Sequence, residues 1–376
     1  MSIEALVEIS RYYGSNNDYV IAGGGNTSFK DEETLYIKGS GTALADAAAG
    51  TFVRMDRKAL AGMWEKTYPK DSGEREKVVL ADLMAARKAG EEQKRPSVET
   101  MLHDLLPYDF VVHTHPAMVN GLTCSQQGEA AMKEVFADKA IWIPSTNPGY
   151  ILSLKVKKAQ EDYKAAHGVS ASLIFLQNHG VFVGADSTEG IKNIYQDITK
   201  KFEAKIKRRP DFSAENRTAP AAVSAALATV LVELSGGKVA FLCNREISGF
   251  VKDRVAFYPV SSAFTPDHIV YAGSDPLFYE TQNAEEFQKT QFQKAWEAHI
   301  ERTRMPPKIV AVQGLGIFGL GTTEKAANLA IELFTDAVKV AVFSQSFGGP
   351  RFMSRDQIDF INGWEVEAFR SKVSMK

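Results

Sequence analysis

The beginning of the chain alternates helical and extended patterns. Residues 2–13 space their apolar positions at helical intervals, and Tyr19–Gly25 then becomes a glycine-dense loop. Leu35–Lys38 and Thr51–Met55 have short strand character between glycines. A charged helical pattern continues from there to about residue 90. This alternation is typical of an α/β fold.

Two later apolar runs predict buried strands, and a long amphipathic segment predicts a helix against them. Phe110–His115 and Ser172–Gln177 both end in polar residues, as strands do when they deliver side chains to a sheet edge. Glu189–Lys207 carries its apolar residues on one face. We interpret the basic cluster that ends this helix as a complement to the helix dipole rather than a phosphate or nucleic-acid site. The pattern predicts a central sheet with flanking helices.

A polar segment divides the chain. Pro210–Pro220 is rich in Ser, Asn, Asp and Pro, which is typical of a linker. We therefore predict a first domain over 1–210, a linker over 211–220 and a second, smaller α/β domain over 221–376. No internal repeat is apparent. The elements predicted after the linker are helix 221–235, strand 238–243, helix 283–303, strand 308–313, helix 322–343 and a tail helix near 356–372.

Composition narrows the function classes. The 376 residues are 44% hydrophobic and 24% charged, with a formal net charge of -2, so no global field favours nucleic acid as a partner. Cys124 and Cys243 lie far apart and form neither a disulfide framework nor a CxxC pair. The N-terminus lacks a secretion signal, and no apolar run reaches the ~20 residues of a membrane span. We expect a cytoplasmic protein with no membrane partner.

Three of the seven histidines stand at the ends of predicted strands. His113 and His115 flank one residue, so the period-two geometry of a strand places both side chains on one face. His179 follows the second apolar run. A lone buried histidine is more often a hydrogen-bonded core residue, but a pair at a strand end favours a metal site. Three neutral imidazoles suit one divalent metal ion, Zn²⁺ in the first instance, with an open coordination position.

Glu99 is the candidate acid/base residue. It lies in Pro96–His103, where a helix is predicted to begin and to lead directly into the His113 strand. A carboxylate placed there can lie beside the metal and move a proton. An acid in a first helical turn commonly serves only the helix dipole, so the assignment of Glu99 depends on the histidines.

Three glycine-rich segments are candidate ligand loops. Gly23–Ser28 and Lys38–Thr42 offer backbone N–H, amide and hydroxyl groups that together can cradle a phosphate. Gly314–Gly319 matches GxGxxG after a predicted strand and before a helix. A dinucleotide fold also needs a second strand ending in an acid about 20 residues later, where this chain has one helical run. NAD binding is therefore only an alternative.

The order of these motifs over residues 1–210 resembles the class II aldolase/adducin family. The resemblance implies the central sheet of that family, a divalent metal and a homotetramer that binds a small sugar phosphate. Val98 departs from the pattern, because many aldolases of the family have a second serine there. By resemblance, the metal ligands are His113, His115 and His179, the acid/base residue is Glu99, and the phosphate-binding residues are Asn26, Ser40, Gly41 and Ser97.

The second half resembles a region found in larger proteins. Thr265–His268 and the Gly314 loop are similar to the region that follows the aldolase fold in bacterial rhamnulose-1-phosphate aldolase/alcohol dehydrogenase fusion proteins. The chain would then correspond to their aldolase portion without the dehydrogenase domain. We interpret His268 as a structural residue, because no metal-ligand pair lies near it in sequence.

The leading functional hypothesis is a class II, metal-dependent aldehyde-lyase. It would cleave a ketose 1-phosphate, similar to rhamnulose 1-phosphate, into dihydroxyacetone phosphate and an aldehyde. One alternative is a sugar-phosphate epimerase or dehydratase with the same metal site, although the related epimerases usually have aspartate at the position of Glu99. Another is a non-catalytic, adducin-like module, whose signature would be the loss of the metal histidines.

Overall fold

A computed structural model describes residues 2–215, 221–281, 288–367 and 369. Its mixed α/β architecture contains a large central sheet, a second smaller sheet and helices that flank both. We refer to residues 2–215 as the first half and to the described residues from 221 onward as the second half. Parts of three predicted elements lie outside the described residues: 216–220 of the linker, 283–287 of a helix, and 368 and 370–372 of the tail helix.

The central sheet has seven strands in the order β3-β2-β1-β4-β7-β6-β5. All neighbouring pairs are antiparallel except β5 and β6, which run parallel. Strand β4 is buried at every position and lies at the centre of the order. The strands are β1 (Asn26–Lys30), β2 (Thr34–Lys38), β3 (Phe52–Asp56), β4 (Phe110–Thr114), β5 (Ile141–Ile143), β6 (Leu173–Leu176) and β7 (Gly180–Ala185).

Eight helices of the first half surround this sheet. The amphipathic helix Thr188–Glu203 buries Ile191, Tyr195, Ile198 and Phe202, at the spacing that its sequence predicts. Its N-cap Ser187 accepts a hydrogen bond from Gly190 N, which fixes the first residue of the helix. The helices are α1 (Ile3–Gly14), α2 (Arg57–Met63), α3 (Ser72–Ala85), α4 (Thr100–Leu105), α5 (Ala117–Thr123), α6 (Gly128–Phe136), α7 (Tyr150–His167) and α8 (Thr188–Glu203).

The second half has a four-stranded sheet in the order β8-β11-β10-β9. Its strands are β8 (Lys238–Leu242), β9 (Leu277–Tyr279), β10 (Ile309–Val312) and β11 (Gly316–Gly321). Its helices are α9 (Ala221–Ser235), α10 (Arg245–Phe250), α11 (Arg254–Phe257), α12 (Lys289–Thr303), α13 (Glu324–Ser344) and α14 (Arg355–Gly363), with a buried π-helical turn at His268–Ala272. The domain boundary at 211–220 stays a prediction.

The second sheet repeats four strands of the first. The order β8-β11-β10-β9 has the same strand directions as β4-β7-β6-β5, including one parallel pair at the edge. Gln177 N and Gln313 N donate to the preceding parallel strand at Ile143 O and Tyr279 O, both at 3.0 Å. The halves therefore share a structural repeat that the sequence analysis missed.

This repeat corrects the interpretation of the GxGxxG segment. β10 and β11 pair antiparallel as a tight hairpin, with Val312 opposite Gly316. Gly314 has a positive φ of 68°, and Asn178 occupies the equivalent turn position of β6–β7 with a φ of 58°. A dinucleotide fold needs a parallel strand–helix–strand unit at this place. These glycines form a hairpin instead, so the alternative of NAD binding at this loop loses its basis.

One hydrophobic core joins the two halves. It contains Ala117 and Cys124 from the α5 region together with Phe264, Val340 and Phe343 from the second half. Helix α5 packs closely against α13. The contact is so close that a Cβ added at Gly121 would lie 2.3 Å from Cβ of Phe343. The second half is thus packed against the end of β4.

Most predicted elements are present with shifted ends. The expected helices 2–13, 189–207 and 322–343 correspond to α1, α8 and α13, and the expected 221–235 agrees with α9. The predicted glycine loop over 23–28 is partly wrong, because Asn26–Ser28 pair with β4 as part of β1. Within the described residues, no helix combines the length and apolar character needed to cross a membrane.

Gly121 and Gly62 offer a matched test of the contact between the halves, since both are glycines within helices. A Cβ at Gly62 would meet nothing within 4 Å. We expect Gly121→Ala to lower the free energy of unfolding by about 1–3 kcal/mol through overpacking against Phe343. Gly62→Ala should raise it by roughly 0.5–1 kcal/mol, because alanine favours helix. Urea unfolding measures both, and a Gly121→Ala chain as stable as wild type would contradict the close contact.

Candidate metal centre

The strand ends bring three histidines together. His113 belongs to β4, His115 follows that strand by one residue, and His179 lies in the tight turn between β6 and β7. The amide of Asn178 in this turn donates to Phe264 O at 3.1 Å and to Arg351 O at 2.7 Å, so the second half holds the turn. One ligand nitrogen from each histidine lies within 4.8 Å of the others.

The imidazole rings of His113 and His115 are each held at Nδ1 by a hydrogen-bond acceptor. His113 Nδ1 lies 3.0 Å from Val181 O, and because a carbonyl only accepts, Nδ1 carries the proton. His115 Nδ1 lies 2.6 Å from the Asp267 carboxylate, which assigns its proton to Nδ1 in the same way. The two Nε2 atoms then face each other at 2.9 Å. The nitrogens that converge are therefore those available as ligands.

Burial keeps the imidazoles of His113 and His179 neutral. Desolvation and the neighbouring His115 lower the pKa of His113 well below its ordinary value, and its ring stacks on Phe182 at 4.0 Å. Burial lowers the pKa of His179 to about 3, although the Glu99 carboxylate opposes this shift. A neutral imidazole presents a lone pair, whereas imidazolium cannot bind a cation.

Glu99 faces the same point. Its side chain is buried, with Oε2 3.5 Å from His113 Nε2 and Oε1 3.7 Å from His179 Nε2. Glu99 occupies the N-cap position of α4, yet its carboxylate makes no capping hydrogen bond to that helix in the described structure. Oε1 is buried without a hydrogen-bond partner among the described residues. An unsatisfied carboxylate oxygen beside three imidazoles fits a divalent cation, as expected for zinc and similar ions.

A hydrogen-bond network behind Glu99 contains His103, for which the sequence analysis found no role. Asn26 Nδ2 donates to Glu99 Oε2 at 2.7 Å and to Ser97 Oγ at 3.1 Å. The Asn26 carbonyl contacts His103 Nε2, and His103 Nδ1 lies 2.7 Å from Ser28 Oγ. Burial lowers the pKa of His103 well below its ordinary value, so this ring is a neutral link. The spacing of Glu99 and His103 by four residues was a signal for one helix face.

All of the predicted phosphate-binding residues line one pocket beside the histidines. Its wall also includes Lys38, whose Nζ donates to Gly23 O at 3.0 Å and Gly25 O at 2.7 Å. Val98 lines this pocket and packs against the core that joins the halves. The predicted residues in the lining are Asn26, Ser40, Gly41, Ser97, Glu99, His115 and His179.

The second half also reaches this pocket. Pro266, Val366 and Glu367 form part of its lining, and Asp267 contacts His115. His268 is directed elsewhere: its Nδ1 lies 3.0 Å from Thr265 Oγ1 and its Nε2 3.1 Å from the Asp336 carboxylate. These bonds agree with a structural role for His268. The sequence analysis assigned no site residue to this half.

Several known proteins are similar to this chain in sequence or in structure. A curated relative, an uncharacterized oxidoreductase called YuxG from Bacillus subtilis, is 22% identical over 98% of this chain. The chain spans only 58% of that relative's length.

Two solved structures are each similar to a little over half of this chain. The N-terminal class II aldolase domain of a conserved protein from Thermoplasma acidophilum is 25% identical, covering 55% of this chain and 94% of that one, with a TM-score of 0.46. The L-fuculose-1-phosphate aldolase from Thermus thermophilus is 14% identical, covering 54% and 89%, with a TM-score of 0.34.

A family model also matches this chain. The model described as Class II Aldolase and Adducin N-terminal domain matches residues 4–203, which is more than half of the chain. This range contains β1–β7, the three converging histidines and Glu99. The chain belongs to the class II aldolase and adducin family.

Proposed function

We propose that the protein is a divalent-metal-dependent aldolase, with Zn²⁺ as the metal and His113, His115 and His179 as its ligands. The observation that carries this proposal is the convergence of three buried imidazoles on an unsatisfied Glu99 carboxylate. The reaction would split a ketose 1-phosphate, similar to rhamnulose 1-phosphate, into dihydroxyacetone phosphate and an aldehyde. By family resemblance, we further propose a homotetramer.

In this reaction the metal ion and the chain's own residues would have separate roles. A bound divalent ion supplies positive charge for the oxygens of the substrate carbonyl and its neighbouring hydroxyl. As the C–C bond breaks, the hydroxyl on the carbon that becomes the aldehyde loses its proton. The Glu99 carboxylate would take up this proton and return it to the carbon left on the dihydroxyacetone phosphate fragment. Asn26 holds Glu99 Oε2, which leaves Oε1 directed toward the histidines.

The phosphate would bind to the part of the pocket lining that follows β2. Ser40 and Gly41 follow Lys38 in the turn after β2, and Gly41 adopts a positive φ of 83°. The Lys38 ammonium in this wall would supply positive charge for an anion. Val98 offers no hydroxyl, so we propose that Ser97 and the glycine turn bind the phosphate with one donor fewer than in many relatives.

A product assay tests the reaction. The purified metal-loaded protein would be incubated with several ketose 1-phosphates and with the corresponding unphosphorylated ketoses. We expect dihydroxyacetone phosphate and an aldehyde from at least one phosphate ester, and much slower turnover of the free sugar. An epimerised or dehydrated product would identify the alternative enzyme of this family. No conversion of any sugar phosphate by protein that holds its metal would favour the non-catalytic module.

The metal ligands are tested by removing one imidazole. His113→Ala should leave a folded protein with little bound metal, because an open site with three protein ligands loses most of its affinity when one is removed. His167→Ala provides the control, since His167 lies on α7 outside the pocket lining. Elemental analysis and circular dichroism give the result. Full metal content in His113→Ala would refute this ligand set.

The role of Glu99 is tested by a change that keeps its size. Glu99→Gln should lower turnover by about 10² to 10⁴, because the ionisable group is lost while the amide retains an acceptor for Asn26. The metal content should not change. Glu246→Gln is the control for a buried carboxylate elsewhere, since Glu246 pairs with Arg208 at 2.8 Å. Wild-type turnover in Glu99→Gln would leave Glu99 as a helix-start residue, and loss of metal would make it a ligand.

A further inference from the structure

We propose that Asp267, from the second half of the chain, is a positioning residue for His115 and thereby completes the metal centre of the first half. This inference rests on the proposed role of His115 as a ligand. It assigns a function to the second half, which lies beyond the residues that the family model matches.

The contact has the geometry of a charge-assisted hydrogen bond. Asp267 Oδ2 lies 2.6 Å from His115 Nδ1, and the two side chains are only 6% and 9% exposed. Exclusion of water strengthens such a bond. His115 Nε2 meanwhile faces His113 Nε2. The carboxylate thus lies behind a ring whose other nitrogen is directed toward the ligand cluster, an arrangement that orients metal-binding imidazoles and raises their basicity.

Segments from both halves enclose the hydrogen bond between Asp267 and His115. Asp267 immediately precedes the buried π-helical turn His268–Ala272, and His268 is held by Thr265 and Asp336. On the opposite side lies Gly24, where a Cβ would stand 2.6 Å from Asp267 Oδ2 and 3.4 Å from His115 Nδ1. The absence of a side chain at residue 24 leaves the space that the carboxylate and the ring occupy.

The repeat explains why the second half contributes through Asp267 and not through ligands of its own. The register of β8 with β11 matches that of β4 with β7, so Phe241 and Cys243 stand where the first half has His113 and His115. Leu315, in the turn between β10 and β11, takes the place of His179. The second half retains the strand arrangement around the site but not the imidazoles.

The two strand-end histidines differ in what stands behind them. His113 donates to a neutral carbonyl of its own sheet, whereas His115 donates to a carboxylate from the other half. The anion offsets part of the charge of a bound dication and increases electron density on the ring. We expect the loss of this charge to weaken metal binding by about 10- to 100-fold, the usual effect of removing such a partner.

The experiment measures metal affinity in the full-length protein after removal of its metal with a chelator. Wild type, Asp267→Asn and Glu246→Gln would be titrated with Zn²⁺ against a competing chromophoric chelator, and the visible absorption of Co²⁺ would be recorded. Glu246→Gln is the control, because it removes a buried carboxylate of the second half that pairs with Arg208 outside the pocket lining. We expect weaker Zn²⁺ binding and an altered Co²⁺ spectrum only in Asp267→Asn.

A second variant separates positioning from a general structural effect. Asp267→Ala removes the carboxylate and leaves space behind His115, so added formate should restore part of the Zn²⁺ affinity. Formate should not strengthen binding in wild type. Wild-type affinity in Asp267→Asn, an equal loss in Glu246→Gln, or an Asp267→Ala variant that formate does not rescue would overturn the proposal. Failure of both Asp267 variants to fold would also overturn it, because Asp267 would then be a structural residue.

These outcomes are distinct from failure of the proposed function. If wild type binds no divalent metal, or if His113→Ala binds as well as wild type, the metal-dependent aldolase itself is wrong, and the role of Asp267 with it. If the histidines are required and Asp267→Asn has no effect, only the role of Asp267 is wrong.

Discussion

The structure depends on burying three imidazoles and a carboxylate at one point of an apolar sheet. Burial disfavours imidazolium at His113 and His179, and a buried imidazole N–H group needs a hydrogen-bond partner. For His113 that partner is Val181 O in the neighbouring strand, and for His115 it is the Asp267 carboxylate. Glu99 is held by Asn26. These surrounding hydrogen bonds offset the cost of burying imidazole lone pairs and a carboxylate together. A bound cation would offset this cost further.

This requirement accounts for the close union of the two halves. Asp267 can reach His115 only because α13 packs against α5 and places the turn before His268 at the end of β4. The second half also binds the amide of Asn178, which shapes the turn that carries His179. Two of the three histidines thus have their local geometry set by contacts with the second half, although all three belong to the first.

The repeat shows how similar hairpins can serve different purposes. Gln177 and Gln313 make equivalent bonds, and Asn178 and Gly314 both adopt positive φ at the turn. Only the first hairpin has a histidine next to this turn. In the second, the glycines permit the tight reversal and close packing against α13, where a Cβ at Gly319 would lie 2.4 Å from Ala327 O. A GxGxxG pattern therefore indicates only a backbone conformation. Whether the loop can bind a nucleotide depends on how the following strand pairs in the sheet.

The sequence by itself determined the α/β class, most helices and the approximate centre of chemistry, because apolar periodicity and strand-end histidines are local signals. It also indicated Glu99, Asn26, Ser40, Gly41 and Ser97, which line one pocket with His115 and His179. Tertiary structure alone decided the parallel and antiparallel partners of β10, the place of His103 behind Asn26, and the contact of Asp267 with His115. Asp267 and His115 are separated by 152 positions, and no periodicity encodes a contact between groups so far apart in the chain. Such a contact exists only after the packing of α13 against α5 has brought the two halves together.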